Sequence, residues 1–188
     1  ARLGMQLGVD TIVDMLARLG VSEGVPRMPA LLLGAGEYSP VDMATMYQTI
    51  AAGGFRMPLR SIRDIVDVNG EPLKRYPLEY DRTIGLQAVH LLHFALRAVV
   101  HEGTGQGVYR YLPESFVVAG KTGTTNDGRD SWFAGFSGDL LAVSWIGRDD
   151  NGVTGLTGGT GALKVWAHFM ARASKLPLDY RMPDDIQN

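Results

Sequence analysis

There is no cysteine among the 188 residues, and that one absence removes disulfides, thiolate metal sites and cysteine nucleophiles together. It fits an oxidising or a reducing compartment equally. No apolar run approaches the roughly 18 residues of a membrane span, and the first residues lack the charged-then-apolar order of a signal peptide. Neither sign of charge dominates: 18 Lys and Arg stand against 20 Asp and Glu, for a formal net charge of −2. The cations are scattered rather than striped, so no electrostatic footprint for nucleic acid is present. Repeats of fixed period and low-complexity tracts are also missing.

What remains is an ordinary globular composition, 45% hydrophobic and 20% charged, in a length that suits one domain or a piece of one. Glycine is the exception. Many of the 24 glycines fall between 103 and 161, which predicts tight turns and close backbone approach in that stretch.

Periodicity outlines the elements. Leu3, Leu7, Ile12, Leu16 and Leu19 have helical spacing, and Gly20 supplies a stop. Ala1 and Arg2 offer no cap, so the chain is expected to open inside an element of a longer polypeptide. Residues 21 to 38 read as a connection. Ser39-Pro40 with Asp42 is a helix start, and Gly53-Gly54 ends that helix, whose Met43, Met46, Tyr47 and Ile50 form a core stripe. Asn69-Gly70 between β-branched runs predicts a small hairpin. From Thr83 to His101 the pattern is helical again, with Gly103 as its stop.

The pattern then changes to short β runs at 115 to 125, 131 to 137 and 140 to 148, with turns short enough for antiparallel neighbours. A final helix, capped by Thr160, is expected to reach about residue 173. The fold class expected is α+β, an antiparallel sheet flanked by helices, over 1 to 176, with a polar C-terminal tail from 177 to 188.

The most informative stretch is AGKTGTTNDGRDSWFAG, residues 119 to 135. Lys121 ends a strand on which Gly120 and Gly123 leave the backbone unobstructed, while Thr122 and Thr124 add hydroxyls. A cation, two hydroxyls and free peptide groups on one strand edge suit an extended peptide that ends in a carboxylate. Lysine on an edge strand is equally a defence against aggregation. The local chemistry leaves both readings open.

Lys121-Thr122-Gly123-Thr124 resembles the K-T-G element of β-lactamases and penicillin-binding proteins. With VSWIGRDDN and GGTGALKVW following in order, and with LLLGAGEYSPVDMA and QTIAAGGF ahead, nearly the whole chain resembles the C-terminal half of the transpeptidase domain of bifunctional class A penicillin-binding proteins. The likeness is to the 1b type of Gram-negative bacteria. It implies a penicillin-binding, serine β-lactamase-like fold in an inner-membrane enzyme facing the periplasm, with a glycosyltransferase domain ahead of the transpeptidase and an N-terminal anchor outside this chain. It implies crosslinking of peptidoglycan stem peptides through a serine acyl-enzyme, and acylation of the same serine by β-lactams.

By the same resemblance Lys121 holds charge near the catalytic hydroxyl network. Thr122, Gly123 and Thr124 hold the substrate carboxylate, and the Thr124 N–H forms half of an oxyanion hole. No cofactor or metal is implied. Partners implied, besides stem peptides and β-lactams, are an outer-membrane lipoprotein activator and divisome proteins.

The family's S-x-x-K and S-x-N elements are not in these 188 residues. Ser22, Ser39, Ser61, Ser115, Ser131, Ser137, Ser144 and Ser174 all lack Lys three residues on and Asn two residues on. The chain by itself is therefore expected to lack acylation activity. Two alternatives stay beside the transpeptidase: a D,D-carboxypeptidase or β-lactamase-like hydrolase, and a non-catalytic module that binds peptidoglycan or a partner.

Other signals have plainer readings. His90, His93 and His101 are expected as helix-surface histidines without a metal. DDNG at 149 to 152 reads as a turn, and GLTGGTGALK as a glycine-rich entry into the last helix. Trp132, Phe133, Trp145 and Ile146 are expected to pack against that helix through Trp166. Arg129 and Asp130 can border the substrate cleft or solvate a loop, and the loop is the reading preferred; Gly103-Thr104-Gly105 is expected to stop a helix, although it also resembles a family element near the cleft.

Overall fold

A computed structural model describes residues 1–179 of the chain. The expected first helix is broken in two, α1 (Arg2–Leu7) and α2 (Val9–Arg18). The break is at Gly8, whose φ of 87° a side chain would resist and whose neighbours therefore cannot continue one helix. Neither α1 nor its flank is buried; it leans on a 3₁₀ turn at Pro29–Leu33, where Leu32 occupies the space a Cβ on Gly4 would fill.

Helix α3 (Pro40–Ala51) starts as expected. Ser39 Oγ accepts from Asp42 N at 3.1 Å and Asp42 Oδ2 accepts from Ser39 N at 2.9 Å, a reciprocal capping box with Pro40 in the first turn. Gly53 and Gly54 end the helix with φ of 69° and 91°. The carbonyl of Gly54 then accepts from both Thr83 N and Ile84 N, beside the antiparallel pair β1 (Phe55–Arg56) and β4 (Asp81–Arg82).

Between them β2 (Asp64–Val66) and β3 (Pro72–Arg75) form the expected hairpin, paired only with each other. Its turn is not a two-residue Asn-Gly turn. Asp67 O accepts from Gly70 N, Asp67 N donates to Glu71 O, and of the central residues only Gly70 has positive φ, 86°. That is a longer loop closed by a left-handed glycine, and it carries the register shift after Ile65.

Helix α4 (Leu86–His101) ends on Val99 O, which accepts from both Gly103 N and Gly105 N. The main sheet follows: β5 (Ala119–Thr124), β6 (Ser131–Phe136) and β7 (Leu141–Ile146), antiparallel in the order β5-β6-β7. The first strand is shorter than expected because the chain is still turning at 115 and 116, with Phe116 N donating to Pro113 O, and pairs with β6 only from Ala119. Directly opposed residues share a face, so the register assigns Thr122, Thr124, Ser131 and Phe133 to one side and Lys121, Trp132, Ala134 and Trp145 to the other.

Each face buries its own core. On the first, α5 (Ala162–Ala173) brings Leu163, Trp166 and Met170 onto Phe133. The Trp166 ring is fully enclosed and its indole N–H is shared by Ala142 O and Gly135 O, so the buried donor is satisfied. On the second, Met46, Tyr47 and Ile50 of α3 meet Ala119, Ala134 and Phe136. Helix α4 stands along β5 and feeds both, with Leu96 on one side and Val100 on the other.

Thr160 does not cap α5. Its hydroxyl lies on Thr157, and the helix is capped from β6 by buried Ser131, whose Oγ accepts from Ala162 N at 2.8 Å and donates to Thr157 O at 2.7 Å. At the other end of α5, Asp139 in the β6–β7 turn accepts from Ser137 Oγ, Ser174 Oγ and Lys175 N. Leu178 N donates to Val117 O, and most of the expected tail lies outside the described residues.

Candidate functional site

Strand β5 occupies one end of the sheet order, so its outer edge pairs with no other strand among the described residues. Thr125 N donates to Asp130 O, toward β6. Amide directions alternate along an extended strand, so the N–H of Thr124 points to the outer edge. The four expected site residues are thus adjacent but divided between two faces. Lys121 is exposed on the α3 side, where its Nζ donates to Thr122 O at 2.8 Å. Thr122 and Thr124 stand on the α5 side, and Gly123 between them is partly buried opposite Trp132.

The two threonine hydroxyls have partners that spacing along β5 could not reveal. Thr122 Oγ1 lies 2.6 Å from Thr104 Oγ1, on the turn after α4. Thr124 Oγ1 accepts from Gly158 N at 2.9 Å, on the segment that enters α5. A Cβ at position 158 would lie 2.7 Å from both Gly123 O and Trp132 O, so only glycine lets that segment cross the β5–β6 ladder. The glycine-rich entry into α5 is therefore also a strap across the strand.

Beyond Thr124 the β5–β6 loop is tied at several points. Thr125 Oγ1 accepts from Asp130 N at 2.8 Å, and Arg129 donates to Asn151 O at 2.6 Å. Asp127 sits at φ 64°, a left-handed backbone uncommon for a residue with a side chain. Asp130 does more than solvate a loop: its Oδ1 accepts from the Trp145 indole at 2.9 Å and so links the loop to β7. Asp130 and Trp145 line a hollow of about 1180 Å³ with Leu33, Tyr38 and Trp132, and Thr124 borders it. Lys121 and Thr122 do not line this hollow, which lies past the end of the strand rather than along its edge.

Two expectations change. Trp132 and Trp145 face the α3 side, away from Trp166, with ring centroids 6.0 Å apart, while the Phe133 ring meets Trp166. The period-2 alternation of the strand places neighbours on opposite faces, so Trp132 and Phe133 could not share a partner. Of the three histidines expected at the helix surface, His101 is exposed, whereas His90 and His93 are not. His90 is buried, and His93 Nε2 donates to Ile50 O at 2.8 Å with its ring against Phe136. Burial lowers the His93 pKa from its ordinary value; the hydrogen bond to Ile50 O opposes that shift, and repulsion from the His90 ring adds to it.

No group of three His, Cys, Asp or Glu side chains able to hold a metal occurs among the described residues. No described helix is long and apolar enough to cross a membrane.

A helix-backed antiparallel sheet whose edge strand carries K-T-G-T defines a class, and comparison with known proteins agrees. The chain belongs to the family of the penicillin-binding protein transpeptidase domain, whose model matches residues 2–146. It is similar to penicillin-binding protein 1B of Vibrio cholerae, 41% identical over 98% of this chain and 23% of that protein. To penicillin-binding protein 1B of Escherichia coli it is 37% identical, over 98% of this chain and 22% of that one. The chain thus spans under a quarter of the length of these relatives.

Solved structures share the fold. Penicillin-binding protein 1A of Haemophilus influenzae superposes with a TM-score of 0.88 at 24% identity, over 97% of this chain and 34% of that chain. PonA1 of Mycobacterium tuberculosis, solved with penicillin V, gives 0.77 at 21% identity, over 97% and 55%.

Proposed function

We propose that this chain supplies one wall of the acyl-transfer cleft of a peptidoglycan D,D-transpeptidase, anchored in the inner membrane by another part of the polypeptide and facing the periplasm. The observation that carries the reading is the outer edge of β5, where K-T-G-T combines a cation, two hydroxyls and an outward amide at Thr124. An extended stem peptide adds along such an edge through its backbone. Thr122, Gly123 and Thr124 take its carboxylate. Lys121 contributes charge, worth roughly 4 kcal/mol toward a carboxylate at about 4 Å and an effective dielectric of 20 before solvent screening.

In the reaction, a serine hydroxyl adds to a peptide carbonyl, and the negative oxygen so formed is met by the Thr124 N–H. The amide C–N bond breaks and the leaving amine takes a proton. An acceptor amine then attacks the ester, forming the crosslink and returning the hydrogen to serine. None of the eight serines stands in S-x-x-K or S-x-N, so the nucleophile and its base come from elsewhere in the polypeptide, as does any glycosyltransferase activity.

A fluorescent penicillin tests the reading. The whole polypeptide is expected to become covalently labelled and the 188-residue chain alone to stay unlabelled. Labelling of the isolated chain would overturn the division of the site, and failure of the whole polypeptide to label would favour a non-catalytic binding module. Supplying a donor peptide with an amine acceptor separates crosslinking from hydrolysis.

A further inference from the structure

We infer that Thr104, which follows α4, is a positioning residue that aims the Thr122 hydroxyl at the substrate carboxylate. The inference rests on the reading of β5 as the carboxylate-binding strand and adds a residue outside K-T-G-T to it.

The two hydroxyl oxygens are 2.6 Å apart, a short hydrogen bond between groups 18 residues apart in sequence. Their meeting is built by glycines on both sides. After α4 the chain turns tightly enough that Gly103 N and Gly105 N both donate to Val99 O. A Cβ at 103 would lie 2.9 Å from Val99 O, and one at 105 would lie 3.0 Å from Val100 Cα. That turn leaves Thr104 as the sole side chain in its G-T-G stretch, delivered to β5. From the opposite direction, a Cβ at 158 would lie 2.8 Å from Thr122 Cβ, and one at 159 would lie 3.4 Å from Thr104 O. Both threonines are held between the end of α4 and the strap into α5.

The chemistry of a hydroxyl makes this pairing directional. Each threonine has one proton to donate and lone pairs to accept. If Thr122 donates to Thr104, it presents only lone pairs outward, which a carboxylate repels. If Thr104 donates to Thr122, the Thr122 proton is free for the carboxylate, and the chain of two donors polarises in its favour. An arriving anion selects the second arrangement. Thr104 then supports binding of the carboxylate without touching it, and has no part in attack on the carbonyl.

The test uses the whole polypeptide and measures the dissociation constant and limiting rate of acylation by benzylpenicillin and by its methyl ester. Thr104→Val is expected to weaken benzylpenicillin binding by about three- to tenfold, the range for loss of one neutral hydrogen bond, and to leave the limiting rate within about twofold. Thr104→Ser recovers most of the affinity. The methyl ester, lacking the anion, shows no such loss, and neither does Thr104→Val in a Thr122→Val background. Melting curves accompany each variant, and Thr104→Ala replaces Thr104→Val if the latter does not fold.

Unchanged affinity in the hydroxyl-free variants would overturn the inference, as would an equal loss for acid and ester or an additive loss with Thr122→Val. If the unsubstituted polypeptide takes up neither probe, the functional reading falls and the inference with it. If it is acylated but indifferent to residue 104, the inference alone falls.

Discussion

The β5–β6–β7 sheet and the β2–β3 hairpin are both antiparallel, yet they are held in opposite ways. The sheet is covered on one face by α5 and on the other by α3, and its central strand carries Phe133 and Phe136 with almost no exposure. Every residue of β2 and β3 is exposed, and Val68 at the tip is fully so. A two-stranded ribbon without a face to bury is marginal by itself. The sheet's geometry is therefore set by residues far away in sequence, and the hairpin's by its own turn. The expected site belongs to the first kind of structure, which is why its strand can be held as a rigid edge.

The comparison breaks most visibly at Trp166, the fully buried ring that joins α5 to the sheet. Trp166→Ala is expected to cost about 3–5 kcal/mol through the cavity it leaves, with a fall in melting temperature on the order of 10 °C. If the melting temperature barely moves, α5 is not what fixes the sheet.

A smaller but more specific effect is expected at Ser131. Its hydroxyl both caps α5 and ties down Thr157, so Ser131→Ala leaves Ala162 N and Thr157 O without that partner. The expected loss is about 2 kcal/mol, read as melting temperature. Because Thr157 belongs to the strap that reaches Thr124, weaker penicillin acylation of the whole polypeptide should accompany it. A stability loss with unchanged acylation would separate the strap from the site.

How much of this was legible beforehand divides along the same line. The helix start at Ser39-Pro40, the glycine stops and the three β runs are local signals, and all are found close to where spacing predicts them. The K-T-G-T stretch was legible as a motif. The partners of its hydroxyls were not, because Thr104 and Gly158 reach β5 through chain reversals that no periodicity records. The α5 cap was misassigned for the same reason: Thr160 is local, whereas Ser131 lies 31 residues away. Among the histidines only His101 is at the surface that periodicity predicts; His93 is drawn inward because Ile50 O, on a helix no periodicity places beside it, receives its ring N–H.

Acid sharpens the contrast further. The Ser174 hydroxyl first, then the Lys175 amide and the Ser137 hydroxyl, hold the Asp139 carboxyl down at about 2, against an ordinary 3.8. A depressed folded-state pKa means that the unfolded chain binds the proton more readily. The stabilisation is therefore fully present above about pH 4 and lost as pH falls toward 2. Asp139→Asn should flatten that part of the stability profile. The sheet's end would then respond to acid through one residue, and an unchanged profile would place the acid sensitivity elsewhere.

The smallest global effect is expected in the hairpin. Gly70 has a φ of 86° and closes the loop on Asp67, so Gly70→Ala strains the turn by roughly 1–2 kcal/mol. With β2 and β3 paired only with each other, that strain should open the ribbon locally rather than unfold the domain. Hydrogen exchange at the amides of Asp67 and Tyr76, which bond Glu71 O and Arg63 O across the ribbon, should speed by about tenfold. The melting temperature should move by no more than about 1 °C. A melting shift as large as that of Ser131→Ala would mean that the hairpin is coupled to the two-faced core after all, and the distinction between the two sheets would fail.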